Sequence, residues 1–81
     1  MKHEPPNERL LAWRKRAGLS QLAAAQLVEQ RTGIQIRQAS WSRIEAGRQV
    51  PGRAIALALA KVTRGQVAAA DWPPVAAGKA A

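Results

Sequence analysis

The sequence predicts an all-α domain of four to five short helices, and composition, patterning and glycine spacing carry that prediction. Ala, Leu, Gln, Arg and Glu dominate, while Phe and Tyr are absent and Val and Ile are scattered. Such a chain favours helices over sheets. No stretch alternates apolar and polar residues long enough to read as a strand. Glycines at 18, 33, 47, 52 and 65 cut the chain into helix-sized pieces. With 81 residues there is room for one domain with a small core.

The first helix is expected from about Pro6 to Ala17. Leu10, Trp13 and Ala17 recur at helical spacing and form one apolar stripe, with Arg9, Lys15 and Arg16 off it. Gly18 is placed to end the helix. Ser20 then offers its hydroxyl as the cap of a second helix, from Gln21 to about Arg31. Ala24, Leu27, Val28 and the stem of Arg31 form its inner face, and Gly33 closes it. A connector, Ile34 to Arg37, leads to a third helix over Gln38 to Ala46. One face of this helix carries Trp41, Ile44 and Glu45; the other carries Ala39, Ser42, Arg43 and Ala46. Gly47 ends it. A fourth, Ala-rich helix begins at the cap Gly52 and runs to about Thr63, with Ile55, Leu59 and Val62 on one side. A last turn, Ala68 to Trp72, returns Val67 and Trp72 to the core before Pro73-Pro74. Residues 1–5 read as a flexible N-terminus, residues 6–72 as the domain, and residues 73–81 as a disordered tail.

The chemistry the sequence excludes narrows its function. There is no cysteine, so disulfides and thiolate metal sites are ruled out, which suits a reducing cytoplasm. His3, the only histidine, has no metal or triad partners near it in sequence. The five acids are dispersed, with no paired carboxylates, and no glycine loop is built to cradle a phosphate. No enzyme, metal or cofactor is expected. The apolar run Ala54 to Ala60 is far shorter than the roughly 20 residues of a membrane span, and the N-terminus has no signal-peptide stretch. Thirteen Lys and Arg against five Asp and Glu give a net charge of +8. A small basic domain is matched to a polyanion, nucleic acid first and an anionic membrane surface second.

Two stretches, Arg14 to Gln21 (RKRAGLSQ) and Ser40 to Gly47 (SWSRIEAG), occur in order ahead of Pro51 and an Ala-rich helix. Together they resemble the lambda-repressor/Cro (XRE-type) helix-turn-helix family, and the resemblance runs from about Leu10 to Trp72. It implies a lambda-repressor-like DNA-binding domain in which the second helix lies across the DNA backbone and the third enters the major groove. On this resemblance Gln38, Ala39, Ser42 and Arg43 face base edges. A Gln can pair bidentately with adenine, Arg43 can pair with guanine or simply take a phosphate, and an Ala can touch a thymine methyl. Gln21, Arg37, Ser40 and Arg48 fall to phosphate, Gln21 from the electropositive start of a helix. Arg14 and Glu45 match a family salt bridge that orients the third helix, with Trp41 as further structural support.

Three departures from the family pattern stand out. Glu29 to Gln35 makes the connection between the second and third helices about six residues longer than usual, as a lengthened turn or an extended helix. Arg37 occupies a position where a capping Ser or Thr is common. Leu22 and Arg53 exchange the polar and apolar characters expected of them.

The arginines at 31, 37, 43, 48 and 53, interrupted by Glu45 alone, bracket the third helix and are read as a phosphate-contacting set. Trp13, Trp41 and Trp72 are read as core rather than as base-stacking residues. The expected function is a cytoplasmic, nucleoid-associated, sequence-specific regulator of bacterial or mobile-element genes, a repressor. It would bind a palindromic operator as a homodimer, with half-sites about 34 Å apart. The dimer would use the fourth helix, the last turn or the tail, or form only on DNA. Two alternatives stand beside this reading. One is an antitoxin or anti-activator binding a protein partner through Leu22, Leu57 and the extended second helix. The other is a recombination or architectural accessory protein.

Overall fold

The computed structural model of the chain describes residues 4–73. Four helices, α1 (Pro6–Arg16), α2 (Gln21–Thr32), α3 (Gln38–Glu45) and α4 (Arg53–Val62), are followed by a 3-10 turn, Ala69–Asp71. There is no strand among the described residues. His3, most of the expected N-terminal segment and all but Pro73 of the expected tail lie outside them.

Each helix boundary has a local cause. Pro6 opens α1 at a position whose N–H has no helical acceptor in any case. Arg14, Lys15 and Arg16 occupy its last turn, where cations complement the helix dipole. The Ser20 hydroxyl accepts a hydrogen bond from the Ala23 N–H at 3.0 Å and caps α2. The added length between α2 and α3 is taken up largely as helix, since α2 continues to Thr32. Thr32 Oγ1 donates to the Val28 carbonyl at 2.7 Å and accepts from the Ile34 N–H at 3.1 Å. Gly33, at φ +77°, adopts the left-handed conformation that closes the helix. The chain then returns through Gly33 to Arg37, anchored by the buried Ile36 and by Ile34 against the core.

Leu10, Val28, Trp41, Ile44, Leu59 and Val67 are the fully buried centre of the core. Around it α2 packs on α4 and α3, α1 packs on α3, and the 3-10 turn packs on α4. Thr63 ties off this last corner. Its buried hydroxyl donates to the Leu59 carbonyl at 2.8 Å and accepts from the Val67 N–H at 3.1 Å. Trp41 and Trp72 are buried and Trp13 packs against the core, so all three indoles serve packing.

Two expected core positions are exposed instead. Ala17 is the C-cap of α1, where the chain already turns away, and it contributes nothing to the stripe. Arg31 continues the line of Ala24 and Val28, but it stands in the last turn of α2, at the helix end, where it is exposed and its charge is favoured. Core contributions from Ile36, Ala56 and Ala58 were not evident from periodicity.

Candidate nucleic-acid interface

α3 has two chemically distinct faces. Trp41, Ile44 and Glu45 are buried, whereas Gln38, Ala39, Ser42, Arg43 and Ala46 are exposed and Ser40 is partly so. All four residues expected at base edges therefore share one outward face, which carries no acid.

The inward face is fixed through one carboxylate. Arg14 donates to Glu45 from Nε at 2.6 Å and from Nη2 at 3.0 Å, a bidentate pair. Trp41 Nε1 donates to the same carboxylate at 2.5 Å, and Gln21 Nε2 at 3.1 Å. Arg14 also uses Nη1 on the Leu19 carbonyl at 2.9 Å, which ties the hub to the turn between α1 and α2. Burial alone would push the Glu45 carboxyl up. The hydrogen bonds from Arg14, Trp41 and Gln21, together with the Arg14 charge, outweigh it and hold the group below the usual carboxylate range. The hydrogen bond to Glu45 in turn raises Arg14, against the opposing effect of burial. The expected pairing of Arg14 with Glu45, with Trp41 as support, is present.

Gln21 is drawn into this hub. Its side chain donates one N–H to Glu45, which fixes the amide in place beside the backbone N–H at the start of α2. Two further residues were not singled out from the sequence. Asn7 Nδ2 donates to the Glu45 backbone carbonyl at 3.1 Å and so clasps the end of α3 from α1. No local pattern signals a contact between residues so far apart in the chain. Gln49 accepts from Arg43 Nε at 2.9 Å. That contact follows from the turn at Gly47, which sends the chain back over the end of α3.

Arg37, Arg43, Arg48 and Arg53 are all exposed, at the start of α3, on its outer face, just past its end and at the start of α4. Arg37 is the N-cap of α3 and makes no side-chain cap, so the first N–H groups of α3 have no side-chain acceptor. Glu45, the acid within this set, is buried and paired with Arg14. The outward surface around α3 is thus cationic and rich in hydrogen-bond donors, the character that phosphate and base edges select.

Among the described residues, no group of His, Cys, Asp and Glu could hold a metal ion, and no helix is long and apolar enough to cross a membrane. Comparison with curated proteins and with solved structures gives no match. A family model described as a helix-turn-helix domain matches residues 8–72. The match takes in α2, α3, α4, the closing turn and nearly all of α1, and it fits the XRE/Cro-like pattern of the two sequence stretches. The chain belongs to the helix-turn-helix domain family.

Proposed function

We propose that this protein is a sequence-reading regulator of transcription, a repressor, that binds two-fold-symmetric duplex DNA as a dimer in the cytoplasm. The observation that carries the reading is the division of α3. One face is locked into the core through Glu45, and the other offers Gln38, Ala39, Ser42 and Arg43 to solvent. In the major groove, Gln38 would pair with adenine, Arg43 with guanine, and Ala39 would meet a thymine methyl. Gln21 through its backbone, and Arg37, Ser40 and Arg48 through their side chains, would take phosphates and set the register. Repression would follow from occupancy of a promoter.

Selection of binding sites from random duplex DNA at moderate salt tests the reading. Recovery of a short two-fold-symmetric motif, with half-sites about 34 Å apart, is the expected result. Retention that carries no motif and disappears with salt would leave only non-specific charge and remove it.

A protein partner is the second reading, favoured by two leucines, Leu22 at 51% exposure and Leu57 at 49%. A stoichiometric complex with a co-expressed protein, blocked by Leu22→Lys or Leu57→Lys, is its test.

A further inference from the structure

The end of α3 is built so that one residue of the following loop meets one residue of the outer face. The Arg48 N–H donates to the Arg43 carbonyl at 2.9 Å and the Gly47 N–H to the Ile44 carbonyl at 3.1 Å, a helix-closing pair that folds the chain back on itself. Gln49 is the next residue, and its Oε1 accepts from Arg43 Nε at 2.9 Å. Backbone and side chain together therefore hold the Gln49 carbonyl against Arg43.

A guanidinium has two edges that can make paired hydrogen bonds, one using Nε and one using the two terminal nitrogens. With Nε engaged by Gln49, the free edge is the terminal one. Guanine presents two acceptors, O6 and N7, to such an edge in the major groove. An unsupported arginine must lose side-chain freedom on binding, whereas one already held loses less.

We infer that Gln49 is a specificity-determining positioning residue that presents the terminal edge of Arg43 to a guanine. The inference rests on the reading of α3 as the recognition helix. Gln49 does not itself read the base; it acts through Arg43.

The test starts from the site selected by the wild-type protein. Affinities are then measured on that site and on its single-base-pair variants for wild type, Arg43→Ala, Gln49→Ala, Gln49→Glu and the double alanine variant. Gln49→Ala should bind the selected site about five- to tenfold more weakly but bind variants changed at the guanine position that Arg43→Ala identifies as well as wild type does, so that discrimination there falls by the same factor. Gln49→Glu keeps an acceptor for Nε, so it should retain that preference even while its charge weakens every sequence. In the Arg43→Ala background, Gln49→Ala should change nothing further. Wild-type base preferences in Gln49→Ala overturn the proposal, and so does a uniform weakening of all sequences, which would mark Gln49 as a backbone contact. If wild type selects no motif, or Arg43→Ala leaves every preference intact, the recognition-helix reading fails and the proposal falls with it. Unchanged melting temperatures for the Gln49 variants separate these outcomes from misfolding.

Discussion

The two ends of α3 are held in opposite ways. At its C-terminal end the Glu45 carboxylate takes hydrogen bonds from Arg14, Trp41 and Gln21, and its carbonyl takes one from Asn7. At its N-terminal end Arg37 supplies no cap, and Gln38 and Ala39 stand in solvent. An eight-residue helix has no stability of its own in water. Its existence depends on tertiary anchoring, and here the polar part of that anchoring is gathered at one end. The arrangement leaves the other end with N–H groups that no side chain caps and with a cation beside them, a combination that favours an anion such as a phosphate. Rigidity and reactivity are thus separated along one short element.

The anchored end should be the costly one to break. Glu45→Ala leaves the Arg14 guanidinium and the Trp41 indole N–H without their partner in a largely buried site. A loss of about 3–5 kcal/mol is expected, because removing one member of a buried pair strands the other. Chemical denaturation measures it, and a loss below about 1 kcal/mol would show that the hub orients α3 without stabilising it. Acid gives the same comparison without mutation. The folded-state pKa of Glu45 lies below its unfolded value, so its contribution is complete above the ordinary glutamate range near pH 4.3. It is lost as pH falls through the depressed folded value. Between neutral pH and about pH 2, wild type should therefore lose stability more steeply than Glu45→Gln. Parallel curves would mean that the carboxylate is no better held in the folded protein than in the unfolded chain.

Gly47→Ala tests the turn just beyond that end. Gly47 sits at φ +78°, and an added Cβ would lie 3.3 Å from Asn7 Nδ2, the group that clasps Glu45. Left-handed backbone and crowding act together, for an expected cost of about 1–2 kcal/mol. Gly33→Ala provides the contrast. Its φ of +77° is nearly the same, but an added Cβ would meet nothing within 4 Å. It should cost less, and equal losses would assign the whole effect to backbone strain.

The difference between the two ends also explains what the sequence made legible. Helix order and the faces of α3 follow from apolar periodicity, since Trp41, Ile44 and Glu45 recur at helical spacing and all are buried. The Ser20 cap and the glycine stops are local chemistry and appeared where expected. The pairing of Arg14 with Glu45 was visible only through the family resemblance, because nothing local joins residues on different helices. Asn7 escaped for the same reason. The path of the added segment was undecided in sequence because Glu29 to Gln35 suits either helix or loop. Thr32 and Gly33 decide it, one through its hydroxyl and the other through its left-handed backbone. At Ala17 and Arg31 the apolar stripe was extended one position too far, into a helix end where periodicity no longer dictates burial.

The smallest effect is expected at the open end, from Arg37→Ser. Arg37 has φ −73° and ψ 151°, close to the φ −71° and ψ 167° of Ser20, which caps α2 successfully. The backbone is already arranged for a cap that the arginine side chain cannot make. A serine there would accept from the first turn of α3 and add about 0.5–1 kcal/mol of stability. It would also remove a cation, so DNA binding should weaken for all sequences and the slope of log K against log salt should flatten by about 1. Arg37→Ala removes the cation without supplying the cap, so it should share the change in salt dependence and lack the gain in stability. Thermal melts and salt titrations of both variants separate the two consequences. If Arg37→Ser is no more stable than Arg37→Ala, water already serves the open end as well as a hydroxyl would. If both keep the wild-type salt slope, Arg37 lies away from the phosphates, and the open end owes its lack of a cap to something other than DNA.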